Sequence, residues 1–282
     1  MIIVRLSDGL GNQMFQYAFG RALSVRRGVP LRLDLSAYQR ERKRVYGLNQ
    51  FLVVEDFVTE EELLQTIPRP LDSALPWWDQ PVVKQAHFHY DADVERVPSA
   101  GYFVGYWQSE RYFADAADLI RLEFTPRQPL SGPNLDVARM MAMRNAVSLH
   151  VRRGDYVSDQ TVNALHGVCS LDYYRRAVAH VMERVERPEF FIFTDDPDWV
   201  RANLALGAPA YLITHNGNAP VEDLRLMSLC RHHIIANSSF SWWGAWLAGR
   251  PGQMVCAPRR WFTGYPHDTR DLTPDRWLRL DG

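Results

Sequence analysis

The sequence predicts an α/β protein of two facing Rossmann-like domains with a cleft between them, and three observations carry that expectation. The chain opens on a β-α-β pattern, its second half alternates apolar strand-like runs with helical ones, and a stretch rich in proline separates the halves. At 282 residues there is room for two domains of about 100–150 residues each.

Ile2 to Leu6 reads as the first strand, Ser7 to Gly11 as a turn, and Asn12 to Arg27 as a helix, with Met14, Tyr17, Ala18, Ala22 and Val25 near helical spacing. Pro30 to Leu35 is the second strand. This opening imitates a dinucleotide fingerprint, with Gly9 and Gly11 in the turn and Asp34 at the next strand's end. Met14, however, stands where a third glycine would let helix and strand approach. From Ser36 to about Gln80 the sequence is irregular, with one short helical candidate at Glu60 to Gln65. Trp77 and Trp78 in that stretch suit either a sugar ring or a core. His87-Phe88-His89 alternates so that two imidazoles would share a strand face, but no third metal ligand stands near. Gly101 to Gly105 is a strand candidate leading into Tyr106-Trp107-Gln108-Ser109-Glu110-Arg111-Tyr112-Phe113, whose polar and aromatic mix suits a sugar-facing wall. Ser109 there caps a helix expected to run to about Phe124. Pro126, Pro129, Gly132 and Pro133 mark a linker, which divides the chain into domains 1–130 and 131–282.

The second half reads as Val147–Val151, a helix from Leu171 to about Arg187, Phe190–Thr194, and a helix from Pro197 to Leu204. Ala210–Ile213, a helix from Val221 to Cys230, His233–Ile235, a helix from Phe240 to Ala248 and the strand Met254–Ala257 follow. Strands alternating with helices in this way build a parallel sheet covered on both faces.

A hydrophobic content of 46%, a formal net charge of -1 and a mean hydropathy of -0.29 describe an ordinary soluble globular protein with no basic excess for nucleic acid. No run approaches the roughly 18 apolar residues of a membrane span, and Met1 leads directly into a strand without a signal-peptide pattern. The expectation is a cytoplasmic protein with no transmembrane segment, at most peripheral at the inner membrane. Cys169, Cys230 and Cys256 are odd in number and unpatterned, so neither a disulfide framework nor a zinc site is indicated.

The most informative stretch is His150-Val151-Arg152-Arg153-Gly154-Asp155-Tyr156, directly after the apolar run Ala146-Val147-Ser148-Leu149. It places two guanidiniums, an imidazole and a carboxylate at a strand's carboxyl end, where open α/β sheets bind ligands. A guanidinium's planar fork of donors matches phosphate oxygens. Asn237-Ser238-Ser239-Phe240 sits between a strand and a helix, where hydroxyls and free N–H groups form an anion site or a plain N-cap. Trp242, Trp243 and Trp246 in that helix are expected to be core. Asp223 opens D-x-x-L-M-S-x-C, and its carboxylate is either a first-turn acid or an acceptor for the N1–H and N2–H₂ edge of guanine. Asp195 and Asp196 hold a ribose or start the next helix.

H-V-R-R-G-D-Y resembles the H-x-R-R-G-D signature of the α-1,2-fucosyltransferases of glycosyltransferase family 11. Gly9-Leu10-Gly11-Asn12-Gln13 near the start and Asp223 through Leu247 near the end agree with it. The resemblance covers most of the chain in the right order and is to the soluble bacterial members. It implies a GT-B-like architecture with an N-terminal acceptor-side domain and a C-terminal domain binding GDP-fucose. It also implies inverting transfer of L-fucose from GDP-β-L-fucose to O2 of a galactose-terminated acceptor, with no metal. The site residues so implied are Gly9, Gly11, Asn12, His150, Arg152, Arg153, Asp195, Asp223, Ser238 and Ser239 for the donor, with Arg152 stabilising charge on the leaving β-phosphate. Asp155 is a candidate general base or an orienter of the arginines; Asp159 is the next candidate base, and Asp8 a third. The family's usual G-G-L-G-N-Q has glycine where this chain has Asp8. Asp91-Ala92-Asp93 matches the D-x-D of metal-dependent glycosyltransferases, a short pattern that arises easily by chance. Two other classes compete: a binding module presenting Arg153-Gly154-Asp155 as an adhesion tripeptide, and a nicotinamide oxidoreductase.

Overall fold

The computed structural model describes residues 1–40, 44–67, 80–217, 219–264 and 267–282; Trp77 and Trp78 lie outside them. The chain divides into two compact units, Met1–Arg127 with His267–Pro274, and Gln128–Pro266 with Asp275–Gly282. Both are α/β units built on parallel sheets.

The first unit contains β1 (Ile2–Arg5), α1 (Leu10–Arg27), β2 (Leu31–Asp34), α2 (Ser36–Arg40), α3 (Glu60–Thr66), β3 (Val82–Lys84), β4 (Gly101–Val104) and α4 (Ala117–Glu123). Its four strands pair in parallel in the order β2-β1-β4-β3. Ile2, Ile3 and Val4 are consecutive and all fully buried, as a strand covered on both faces requires. Gly20 lets α1 lie against that strand, since a Cβ there would come within 2.3 Å of Val4 Cγ2. The close approach that Met14 prevents at the fingerprint position is thus made further along the helix. Phe19 stacks on Trp107 at 4.0 Å between ring centroids, and Phe15 meets Phe113 at 6.2 Å.

That packing overturns two expectations. The helix expected from Ser109 to Phe124 is instead two 3-10 turns, Glu110–Tyr112 and Ala114–Ala116, followed by α4. Trp107, Tyr112 and Phe113 are all buried against α1, and the run is broken at Phe113, whose φ of -137 lies outside the helical range. For the same reason the aromatic stretch is mostly core rather than a sugar-facing wall; Tyr106 is the ring left exposed in that stretch. The strand sits at Val82–Lys84, before the histidines, and His87 and His89 stack at 5.0 Å in a bend rather than projecting from one strand face.

The second unit contains α5 (Gly132–Ala142), β5 (Asn145–Val151), α6 (Gly154–Ser158), α7 (Gln160–His166), α8 (Leu171–Arg184), β6 (Pro188–Thr194), α9 (Pro197–Asn203), β7 (Ala210–Ile213), α10 (Pro220–Leu229), β8 (His232–Ile234), α11 (Ser239–Ala248), β9 (Val255–Pro258) and β10 (Leu278–Leu280). Its six strands run parallel in the order β10-β9-β8-β5-β6-β7. β5 is central, and the strict alternation of its side chains feeds two cores. Val147, Leu149 and Val151 pack with Tyr173, Tyr174 and Val181, whereas Ala146 packs with Phe191, Phe193 and Met227. The Tyr173 hydroxyl donates to the Ile235 carbonyl at 2.5 Å and lies 3.1 Å from that of Cys256, pinning α8 to the sheet. Trp242, Trp243 and Trp246 are core as expected, each at most 2% exposed. Truncating any one to alanine would cost about 3–5 kcal/mol.

The chain runs from β5 to β6 and β7 on one side and then crosses to β8 on the other. The crevice beyond the carboxyl ends of β5 and β8 is therefore the switch point of this sheet. The units divide at Arg127 and Gln128 rather than at 130 and 131, and His267–Pro274 belongs to the first. Asp271 holds that segment there: its Oδ2 accepts the Tyr90 N–H at 3.1 Å and its Oδ1 the Arg111 guanidinium at 3.0 Å. Among the described residues no helix is long and apolar enough to cross a membrane.

Candidate functional site

His150, Arg152 and Arg153 leave the carboxyl end of β5 at the switch point. Arg152 is gripped from two sides, with Nη2 2.5 Å from Asp155 Oδ1 and Nη1 2.7 Å from Asp195 Oδ2, and its guanidinium lies 5.3 Å over the Tyr156 ring. A guanidinium has five N–H donors, so the fork is oriented by two carboxylates while outer N–H groups remain for an anion. Arg153 is turned elsewhere. Its Nε donates to Asp196 Oδ2 at 3.0 Å and its guanidinium sits 4.3 Å over the Trp199 ring, so this side chain braces the loop.

Asp195 is committed as well. Besides meeting Arg152, it accepts the Arg153 backbone N–H on Oδ1 at 2.7 Å. Gly154 makes this possible, because a Cβ at that position would lie 2.7 Å from Asp195 Oδ2. Asp196 caps α9 by accepting from the Trp199 N–H at 3.1 Å, and Asp159 caps α7 by accepting from Thr161 and Val162. His150 is 6% exposed, and its Nδ1 has no hydrogen-bond partner among the described residues. Burial, opposed in part by Asp195 and helped slightly by Arg152, lowers its imidazole to about 4, which keeps it neutral near pH 7.

Asn237, Ser238 and Ser239 follow β8 and open α11, with Ser238 as an N-cap whose hydroxyl makes no capping bond. The α11 N-terminus thus faces the switch point with positive dipole and backbone N–H groups. Asn237 positions it. Its Nδ2 reaches the carbonyls of His166 at 3.0 Å and Trp261 at 3.2 Å, its Oδ1 accepts the Cys169 thiol at 3.4 Å, and its own carbonyl accepts the Tyr156 hydroxyl at 3.3 Å. The motif Asn237-Ser238-Ser239-Phe240 does not by itself reveal this anchoring role. Its partners lie 24 to 81 positions away, so no local signal exposes it.

Asp223 lies in the first turn of α10, beyond the end of β7, half-buried. Burial raises its carboxyl above the usual value, against a lowering bond from Asn216, whose Nδ2 donates to Oδ1 at 2.7 Å. The sheet therefore strings these groups along one edge: Ser238 and Ser239 after β8, Arg152 after β5, Asp195 after β6 and Asp223 after β7. With strands about 4.8 Å apart, that edge spans about 14 Å.

Gly9, Gly11 and Asn12 lie in the first unit, at the N-terminus of α1, and a Cβ on Gly9 would meet nothing within 4 Å. Asn12 Oδ1 accepts from Gln108 Nε2 at 2.8 Å. Asp8 adopts φ 63, the left-handed conformation that the family's usual glycine suits and that Asp tolerates better than most residues. Its carbonyl accepts from Gln13 Nε2 at 2.9 Å and the Tyr38 hydroxyl at 3.1 Å. Gln13 itself is fully buried, so this motif residue fixes the loop. Asp91 accepts from the Asp93 N–H at 2.9 Å as the cap of a 3-10 turn, and among the described residues no three His, Cys, Asp or Glu side chains are grouped as a metal site would need.

The profile of Glycosyl transferase family 11 matches residues 1–265. An alpha-1,2-colitosyltransferase of Escherichia coli is 33% identical over 100% of this chain and 99% of its own length. A galactoside alpha-(1,2)-fucosyltransferase 1 of Leontocebus fuscicollis is 27% identical over 86% of this chain, which spans 64% of that protein. Among solved structures, Arabidopsis thaliana FUT1, a mutant in complex with GDP, superposes with a TM-score of 0.53 at 10% identity, covering 97% of this chain and 74% of that one. At that identity the likeness bears on the fold alone, and it agrees with the GT-B-like class expected. With the profile running from the first residue to 265 and a relative matching over its whole length, the chain is a glycosyltransferase and belongs to glycosyl transferase family 11.

Proposed function

We propose that the protein is an inverting α-1,2-fucosyltransferase that moves L-fucose from GDP-β-L-fucose to O2 of a terminal β-galactoside. The observation that carries the reading is the Arg152 fork, fixed at the switch point of a parallel sheet beside the α11 N-terminus, in a chain of this family. The order of groups along the sheet edge supports it. Anion-binding groups lie at β8 and β5 and a base-recognising carboxylate beyond β7, the order in which a nucleoside diphosphate carries its parts.

In this reading the acceptor hydroxyl attacks the anomeric carbon as the bond to the β-phosphate oxygen breaks, and the hydroxyl proton leaves to a base. Negative charge grows on the departing phosphate, where Arg152 and the N–H groups of α11 are already aimed; such preorganised donors supply a large share of rate enhancement. These groups take the part a divalent ion would play, so the reaction is proposed to be metal-independent. The 2.5 Å bond from Arg152 to Asp155 supports the orienter role for that carboxylate, and the capping bonds of Asp159 give it a structural duty. With both oxygens engaged by the two arginines, Asp195 is better suited to orienting Arg152 than to holding a ribose. Gly9, Gly11 and Asn12 are donor contacts on this proposal by the family's motif, and 1–130 is the acceptor-side domain. Neither competing class gains support: the Arg153 side chain of the adhesion tripeptide is tied to Asp196 and Trp199, and the family has displaced the nicotinamide reading.

The colitosyl relative favours a second reading of the donor, GDP-colitose, whose sugar is L-fucose without its 3-hydroxyl. Incubating the purified chain with each GDP-sugar and a panel of β-galactosides, then assigning the product linkage by NMR, separates the readings. Transfer of fucose to O2 is expected; transfer of colitose alone would move the donor, and transfer of neither would overturn the assignment. Fractionation of cells making the protein tests the cytoplasmic or peripheral inner-membrane location that belongs to the same reading.

A further inference from the structure

The carboxylate of Asp223 is the end of a hydrogen-bond relay whose donor and acceptor directions are forced by one residue. Asn134 Nδ2 lies 3.2 Å from Glu222 Oε2 and 2.8 Å from Asn216 Oδ1. Glu222 has only acceptors when ionised, so turning the Asn134 amide over would set two oxygens against each other. The Asn134 oxygen must therefore face His215 Nε2, 2.7 Å away, and that nitrogen must carry the hydrogen. Asn216 in turn must accept from Asn134 through its oxygen, which directs its Nδ2 at Asp223 Oδ1, 2.7 Å away. Asp223 is left no choice but to accept. Among the described residues its Oδ2 takes no hydrogen bond.

We propose that Asn216 and, behind it, Asn134 are specificity-positioning residues: they hold the Asp223 carboxylate as a fixed acceptor, so that the nucleobase it receives must present adjacent N–H donors. This rests on the reading of Asp223 as the guanine contact. Guanine offers N1–H and N2–H₂ side by side, whereas adenine sets an acceptor beside its amino group. Burial raises the Asp223 carboxyl, with a smaller push from Glu222, and the bond from Asn216 is the larger of the influences that oppose that shift. The three elements involved are distant in sequence, with Asn134 on α5, His215 and Asn216 after β7, and Glu222 and Asp223 on α10. A relay of this kind fixes a side chain more tightly than one bond, because each amide has a single allowed orientation.

The test is calorimetric titration of the full chain with GDP and ADP, comparing wild type with Asn216→Ala, Asn134→Ala and Asp223→Ala. Losing a hydrogen bond to a charged partner is expected to cut the ratio of ADP to GDP dissociation constants about tenfold in Asn216→Ala. Asn134→Ala is expected to cut it about threefold or more, with ADP affinity little changed in both. If wild type does not distinguish GDP from ADP, the guanine reading falls and takes this inference with it. If wild type distinguishes them and Asp223→Ala does not, but both asparagine variants keep the wild-type ratio, the guanine reading stands and the positioning role is overturned. Should Asn216→Ala fail to fold by circular dichroism, Asn134→Ala, one bond further from the carboxylate, decides on the same ratio.

Discussion

Arg152 takes its orientation from two carboxylates on different loops, and this decides which substitutions it tolerates. Arg152→Lys keeps the charge but cannot bridge Asp155 and Asp195 while presenting a fork to phosphate. Turnover is expected to fall by about 100-fold or more with the circular dichroism spectrum unchanged. Near wild-type turnover in the Lys variant would remove the phosphate-clamp assignment. Asp155→Asn separates orienter from base: a lost orienter weakens GDP binding about tenfold together with kcat, whereas a lost base lowers kcat and spares GDP affinity. At this scale the sequence was most legible where the chemistry is contiguous. His150 through Asp155 could be read from one loop, but the turning of Arg153 onto Asp196 and Trp199 depends on partners more than forty positions away.

The seam between β5 and β8 carries polar groups that an apolar sheet would exclude. Ser148 Oγ and His233 Nδ1 are paired at 2.7 Å, and burial, followed by the charges of His232 and Arg250, lowers the His233 imidazole to about 3. The unfolded chain takes that proton near pH 6.5 and the folded one resists it, so the unfolded state binds more protons between those values. The stability this group contributes is present above about pH 6.5 and is lost as pH falls toward 3, by an amount on the order of 3–5 kcal/mol. Thermal melts from pH 7 to 4 should therefore show a steeper loss in wild type than in His233→Asn, which keeps a polar partner for Ser148 but does not titrate; parallel curves would exclude this seam as the source. At the start of α6, Gly154→Ala would push Asp195 away from Arg152, and activity is expected to drop at least tenfold while the melting temperature changes little. Equal activity in that variant would show that Asp195 can move without harm. Most strands and long helices could be read from apolar periodicity. α6 and α7 could not, being short and polar, with no buried residues to set a period. β10 was missed because three half-buried residues give no pattern. The helix expected after Ser109 rested on its capping side chain, and Ser109 does cap, accepting from the Arg111 N–H, but the element it opens is the 3-10 turn Glu110–Tyr112.

For the molecule as a whole, the proposed mechanism gives charge on the leaving group to arginine and a helix terminus. Transfer is expected to survive exhaustive treatment with EDTA, and activity restored only by manganese or magnesium would revive the D-x-D reading of Asp91 and Asp93. The return of His267–Pro274 to the first unit has a separate consequence for the nascent chain. The ribosome finishes Met1–Arg127 long before Asp271 emerges, a delay of roughly 7–30 s at about 5–20 residues per second. Throughout that interval Arg111 and the Tyr90 amide lack the carboxylate that later joins them, and β10 has not yet been added to the second sheet. Each unit thus stays unfinished until the stretch 267–282 has been added, so neither can complete its packing before the other's last part is being made.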